Sequence, residues 1–307
     1  MSLRVVRIAA GSSLRDSGRK GWRHFGVPPG GAFDRESLLL ANALFGNEPG
    51  APALEIPLLG GVFEAESDQW VSVVGARCEV SIDGSRQSGD SALFLRRAQS
   101  LGIEKLQAGV RVYLGAPGGW SAPESLGSRS GFAVTTGQSL ASREQSVPCI
   151  GQSGFCRLAA QPESVMPGNL RVLPGPHSTQ DSLASLCGGK LTVSPNSSRM
   201  GVRLEGFPEP ADEEIPSEPS CPGALQVTPD GTLIALGPDG PTIGGYPKIA
   251  YVVDADLDRL GQLAAGQEVR FEMMSLEEAK LLRGQRALRL ARLRAEIAAV
   301  QRAGTKR

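Results

Sequence analysis

The chain has 307 residues, 32 basic against 32 acidic side chains, and a formal net charge of zero. That balance speaks against a protein that coats nucleic acid or lies on a membrane surface, and no apolar run reaches the roughly 20 residues needed to cross a bilayer. Gly 39 and Pro 22 against 5% aromatics predict many turns and short strands, hence a mainly β chain with a few helices, long enough for two domains.

The N-terminus, MSLRVVRIAAG, runs straight into an alternating strand pattern over residues 3–9 and carries no signal-peptide core. Next, His24-Phe25-Gly26-Val27-Pro28-Pro29-Gly30-Gly31-Ala32-Phe33-Asp34 reads as a shaped loop, because Pro-Pro-Gly-Gly suits neither helix nor central strand. Asp34 is the expected N-cap of a helix over Arg35–Phe45 that stops at Gly46. From Ala53 to Ala116 short apolar runs follow one another: Leu54–Ile56, Gly60–Glu64, Trp70–Gly75, Cys78–Ile82, Ala92–Leu95 and Val110–Gly115. Asp83-Gly84 marks a tight hairpin, and the spacing predicts a barrel or sandwich rather than β-α units.

Residues 117–165 carry little pattern, and the seam between two halves is expected near residue 165. Strands are predicted again at Leu170–Leu173, ending in Pro174-Gly175-Pro176-His177, and at Lys190–Val193 and Val202–Leu204. The acidic, Pro-rich stretch Pro208–Pro219 reads as a solvated connection. Ala224–Val227 and Thr232–Leu236 form a hairpin through Pro229-Asp230-Gly231. A loop from Gly237 to Gly245, with four glycines and two prolines, then delivers Tyr246-Pro247-Lys248 to a strand at Ile249–Val253. A short helix is expected at Asp254–Leu263 and a closing strand at Gln267–Phe271. Ser275-Leu276-Glu277-Glu278 is a capping box that opens a basic amphipathic helix, with Leu290, Leu293, Ile297 and Val300 on one face.

The five cysteines (Cys78, Cys149, Cys156, Cys187, Cys221) are scattered, none in a C-x-x-C pair, and the only histidines are His24 and His177. Neither a zinc site nor a disulfide framework is expected, and a reduced, cytoplasmic setting fits. A loop so rich in glycine lets backbone approach a ligand closely. The polar groups gathered there, Gln226, Asp239, Thr242, Tyr246 and Lys248, are the first candidates for chemistry.

Four stretches in one order resemble the carboxyltransferase domain, subdomain A and B, family, also called allophanate hydrolase subunit 2. They are His24–Asp34; Arg171-Val172-Leu173-Pro174-Gly175-Pro176; Val193-Ser194-Pro195 through Ser197, Arg199-Met200-Gly201 and Arg203–Gly206; and Pro222–Val227 with Gly244–Ala250. Gly127-Ser128-Arg129-Ser130 adds a weaker match. The resemblance reaches from the N-terminus to about Ala279. It implies two cyclophilin-like β-barrel halves, at residues 1–165 and 166–274, followed by the basic helix of 275–307. It also implies a chain resembling the C-type component of an ATP-dependent 5-oxoprolinase. Such a component opens a small amide or lactam in a cleft shared with a B-type partner, with ATP and magnesium acting at the heteromeric complex. On this resemblance Lys248 supplies a cation, His24 and Tyr246 move protons, and Asp239 holds Lys248 or a magnesium ion. Gln226, Thr242, Gly244, Gly245, Arg199 and Ser197 contact substrate. No nucleic-acid or membrane partner is implied. The family's alternatives are a regulatory or binding paralogue and the carboxyltransferase part of a urea-amidolyase-like system, in which biotin would take part. The family pattern S-P-Q-S-D-R-M-G-Y-R-L is altered here at Asn196, Ser198 and Val202. The pattern A-D-R-Q-T-T-G-G-Y-P-K is altered at Pro238, Gly240, Pro241 and Ile243.

Overall fold

A computed structural model describes residues 1–144, 158, 161–166, 168–210 and 215–304. The chain forms two compact units, one of Met1–Gly18, Asp34–Val165 and Arg289–Arg307, the other of Arg19–Phe33 and Met166–Leu288. Among the described residues each unit is built on an antiparallel or mostly antiparallel sheet, and four α-helices accompany them. The expected mainly β class with a C-terminal helix is what the chain adopts.

The first unit's ten-stranded sheet runs in the order Ser139–Ala141, Ser2–Ile8, Gly61–Ala65, Ser100–Gly115, Ala53–Pro57, Ser13–Arg15 and Phe132–Ala133. Strand Gln69–Ile82 pairs with Ser100–Gly115 along one edge and with Ser85–Gln87 and Ser91–Leu95 along the other. The two strands expected at Trp70–Gly75 and Cys78–Ile82 are therefore one, because irregularities at Gly75 and Arg77 shift register without ending the ladder. Gly75 is needed there: its φ is +131° and a Cβ would stand 2.6 Å from the Arg111 carbonyl. Asp83 and Gly84 both have positive φ and close the turn between Ile82 and Ser85, as the Asp-Gly signal predicts. Alternate residues such as Val71, Val73, Leu101, Ile103 and Phe63 turn inward to a dry core with Trp120.

Helix α1, Arg35–Ala43, starts where predicted: Asp34 Oδ1 accepts the Ser37 N–H at 2.9 Å, and its Oδ2 accepts the hydroxyls of Ser37 and Ser164, each at 2.6 Å. The helix ends two residues early, where Phe45 and Gly46 donate to the carbonyls three residues back in a tightened turn.

In the second unit the eight strands run Glu268–Val269, Leu191–Val193, Gly201–Glu205, Leu233–Leu236, Ala224–Val227, Lys248–Val252, Leu170–Pro174 and Phe271–Met273. The two outermost strands are separated in sequence only by Arg270, so the sheet curls until its edges nearly meet as a barrel. Its core holds Leu170, Val172, Leu204, Leu225, Leu233 and Phe271. Helix α2, Gln180–Gly188, goes beyond the sequence expectations; Thr179 and Ser182 form a reciprocal cap that its short apolar pattern hides. The helix expected at Asp254–Leu263 is a 3₁₀ turn, Asp254–Asp256, followed by α3, Leu257–Leu260.

Helix α4, Leu276–Gly304, opens on the anticipated capping box, in which the Ser275 N–H donates to Glu278 Oε2 at 2.8 Å and the Glu278 N–H to Ser275 Oγ at 3.2 Å. Of its predicted apolar face, Leu290 and Ile297 are buried, Leu293 is half-buried and Val300 is exposed. No described helix is long and apolar enough to cross a membrane. Cys149 and Cys156 lie outside the described residues.

Candidate functional site

Strand Lys248–Val252 organises the site. On one side it pairs with Ala224–Val227, and a bulge between Leu225 and Gln226 sets Gln226 opposite Lys248. On the other side it pairs with Leu170–Pro174. The turn that leaves this second neighbour folds back: Gly175 N–H donates to the Ile249 carbonyl at 2.9 Å and His177 N–H to the Lys248 carbonyl at 3.2 Å. A Cβ on Gly175 would sit 2.2 Å from the Lys248 oxygen, so only glycine lets the turn lie this close. The Lys248 N–H in turn donates to His177 Nδ1 at 3.1 Å. A ring nitrogen that accepts carries no proton, which puts the proton of this imidazole on Nε2.

The Lys248 side chain has no solvent exposure, and its Nζ donates to Glu218 Oε1 at 2.6 Å. His177 Nδ1 is 3.8 Å from the same oxygen. The hydrogen bond from Lys248 holds the Glu218 carboxyl below the ordinary range; partial burial opposes this, and the charge of Lys248 adds to it. Gln226 is buried beside this pair, and its Nε2 has no hydrogen-bond partner among the described residues. A buried amide left unpaired costs about 1–3 kcal/mol, which a ligand oxygen would restore. A Cβ on Gly244 would lie 3.1 Å from that nitrogen, so the glycine keeps the amide uncovered on that side. Burial raises the pKa of the Cys221 thiol, although the charges of Arg23 and Lys248 oppose it; Tyr251 is raised by burial, with Cys221 and Glu218 adding.

Glu218 comes from the connection expected to be solvated. Glu218–Pro219 instead forms a two-stranded ribbon with Ile243–Gly244. The Ile215 N–H donates to the Gly245 carbonyl and the Ser220 N–H to the Thr242 carbonyl, each at 2.8 Å. Thr242, Gly244 and Gly245 thus position the acid through their backbone. Neither Glu218 nor His177 is among the candidates read from the sequence; the available signal is an acidic run beside a strand whose lysine, once buried, needs a counter-charge.

The other expected residues are placed differently. Asp239 does not hold Lys248. It accepts from Arg199 Nε at 2.8 Å and from an Arg199 terminal nitrogen at 3.1 Å, and that nitrogen also reaches the Gly31 carbonyl at 2.6 Å. The guanidinium is 5.8 Å from the Phe33 ring centre, and Gly30 N–H donates to the Pro238 carbonyl at 2.9 Å. Arg199 and Asp239 therefore clasp the Pro-Pro-Gly-Gly loop to the Gly237–Asp239 loop. Gly240, where the family pattern has Arg, is itself tightly enclosed, a Cβ meeting the Met200 carbonyl at 2.7 Å. Ser197 Oγ accepts the Arg203 N–H at 3.0 Å and donates to the Ser194 carbonyl at 2.8 Å, closing its own turn. Tyr246 is half-buried, two residues before Lys248. His24 is exposed in the 3₁₀ turn Arg23–Phe25, its ring centre 4.0 Å from that of Phe25, and it makes no described hydrogen bond to Lys248, Glu218 or Gln226. No group of three or more metal-ligating side chains occurs among the described residues.

Residues 25–273 match the family described as carboxyltransferase domain, subdomain A and B. The chain is 36% identical to the C subunit of 5-oxoprolinase from Escherichia coli over 90% of its own length and 93% of that protein. It is 30% identical to urea amidolyase of Saccharomyces cerevisiae, covering 92% of this chain but 17% of that one. The solved urea carboxylase of Kluyveromyces lactis superposes with a TM-score of 0.84 at 27% identity, over 95% of this chain and 29% of that one.

Proposed function

Because the chain belongs to the carboxyltransferase domain, subdomain A and B, family, we propose that it is the C-type component of a 5-oxoprolinase-like enzyme, opening a lactam together with partner subunits. The observation that carries this reading is the fully buried Lys248 beside the unpartnered Gln226 Nε2. Lactam opening builds negative charge on the carbonyl oxygen and then needs a proton on the departing ring nitrogen. Lys248 and Gln226 supply donors for that oxygen, in a setting where few other partners compete. The Nε2–H of His177 serves the departing nitrogen as a hydrogen-bond donor, and the proton that nitrogen gains comes from the water that hydrolyses the bond; Glu218 holds the ammonium in place, and Asp239 is engaged by Arg199 instead. ATP with magnesium, bound at the assembled complex, would supply activation of the carbonyl by phosphoryl transfer. Lys248 and Gln226 are the residues of this chain suited to meet a phosphoryl oxygen.

The test is 5-oxoproline-dependent ATP hydrolysis by this chain reconstituted with its A- and B-type partners. Lys248→Ala and Gln226→Ala are expected to lower turnover by about 10²–10³-fold. Unchanged turnover in both would overturn the assignment. The extensive match to urea amidolyase and urea carboxylase favours a second reading, a carboxyltransferase step involving biotin. Urea-dependent rather than 5-oxoproline-dependent turnover would select it, and partner binding with no turnover on either would select a regulatory paralogue.

A further inference from the structure

The first unit contains a cavity of about 390 Å³ lined by Val73–Cys78, Arg86–Asp90 and Gln161. Its origin lies in the sheet. Strand Gln69–Ile82 pairs with Ser91 at Val73 and with Gln87 at Val80. Between those two points residues Val74–Glu79 have no described partner strand on that edge, while Ser88–Asp90 form the opposite lip. The opening spans six residues, roughly 20 Å of strand, and it is closed by a ladder at each end. An extended peptide therefore cannot run through it, whereas its volume lies in the range of small-molecule sites.

The lining is charged mainly in one sense. Arg77 and Arg86 contribute two positive charges, both residues are exposed, and neither side chain has a hydrogen bond or ion pair among the described residues. The acid in the lining, Asp90, already accepts from the Gly75 N–H at 3.4 Å. Gln87, Ser88 and Gln161 add polar groups, and the Cys78 thiol is kept protonated by burial and by Asp90. Two guanidinium groups with no partner among the described residues, beside a strand edge with no described partner, form a receptor for an oxyanion, since each can grip a carboxylate or phosphate with two parallel N–H donors.

We infer that this gap in the first unit's sheet binds a small oxyanion-bearing metabolite through Arg77 and Arg86, at a site that shares no residue with the Lys248 cluster. The inference does not depend on the proposed catalytic reading, because it uses no residue of the second unit. The test is calorimetric titration of the full chain with inorganic phosphate and, in a second arm, with glutarate, which separates phosphate from carboxylate recognition. Saturable binding of one of them with Kd at or below about 1 mM is expected, weakened about tenfold or more by Arg77→Ala and by Arg86→Ala. Both arginines are exposed, so these variants should keep the wild-type melting transition, and Arg86→Glu provides a charge-reversed second case. Failure of both probes to saturate in that range, or binding indifferent to all three arginine variants, would overturn the proposal.

Discussion

Lys248 and Glu218 form a pair whose two members stand in different surroundings, and that difference predicts an asymmetry in stability. The Lys248 side chain is wholly buried, whereas the Glu218 side chain is 37% exposed. In Lys248→Met the replacement is apolar and of similar length, and the carboxylate left behind can turn to water. The expected change in unfolding free energy is within about 1 kcal/mol, because an apolar side chain of like volume offsets the lost ion pair. In Glu218→Ala the ammonium stays buried with its acceptor gone, and the neighbouring Gln226 Nε2 is a donor that cannot replace it. That variant should be the less stable of the two. The pH dependence has a definite sign. The folded carboxyl of Glu218 is held below its ordinary value, so its contribution is present above the ordinary carboxylate range and disappears as pH falls through the depressed folded value. Urea unfolding followed by tryptophan fluorescence, at neutral pH and under progressive acidification, measures both. If Lys248→Met unfolds at lower urea than Glu218→Ala at neutral pH, Lys248 is not a buried charge dependent on Glu218.

Three further outcomes rest on single residues. Asp16 is held below the ordinary carboxylate range: burial opposes this, but hydrogen bonds from Ser130, Ser128 and the N–H groups of Arg129 and Gly18 outweigh it. Asp16→Ala should cost the first unit about 2–4 kcal/mol in chemical denaturation, and a loss under about 1 kcal/mol would contradict the arrangement. Gly175→Ala should destabilise by about 2 kcal/mol or more, because its Cβ meets the Lys248 carbonyl; the His177 imidazole resonances should move with it, and an unchanged spectrum would argue against the turn's role. The Cys78 thiol is pushed up to about 12 by burial, with Asp90 adding. Iodoacetamide labelling at about pH 8, resolved by peptide mass spectrometry, should therefore run about 10³-fold slower at Cys78 than at a free cysteine, and Asp90→Asn should speed it.

Much of this was legible in the residues, and the failures have identifiable physics. Asp34, Ser275-Glu278 and Asp83-Gly84 were readable because caps and tight turns are settled within four residues, and each stands where local chemistry requires it. Gln226 and Lys248 were readable as candidates because both are polar residues flanking a glycine-rich loop, but that they face each other depends on the bulge between Leu225 and Gln226, which the sequence does not signal. Glu218 was not readable, since its ribbon with Ile243–Gly244 is only two residues long and leaves almost no periodic trace. His177 was hidden for a similar reason: its place depends on a turn folding back over a strand 71 residues later in the chain. Asp239 was assigned to the wrong cation because the loop that carries it also leads to Lys248 at its far end, and proximity in sequence gave no hint that Arg199 would reach it first.

That separation between the two ion pairs bears on the departures from the family pattern. Ser198 and Gly240 stand where the family has an Asp and an Arg, and both belong to the loops joined by Arg199 and Asp239. Ser198 donates its N–H to the Gly201 carbonyl at 3.0 Å, and Gly240 N–H donates to the Gly237 carbonyl at 3.1 Å, so the loops are closed by backbone instead. The Arg199–Asp239 pair itself is intact, its two side chains 14% and 28% exposed. Lys248, Glu218, Gln226 and His177 make no described hydrogen bond to Ser198 or Gly240. The altered positions thus change how a neighbouring loop is fastened, while the buried ammonium and the waiting amide stay in place. A variant restoring Arg at position 240 should meet the Met200 carbonyl, 2.7 Å from where its Cβ must go, and so should loosen that loop before it could add a substrate contact. If Gly240→Arg instead raised turnover without lowering the melting temperature, the catalytic contribution of this loop would be larger than the geometry allows.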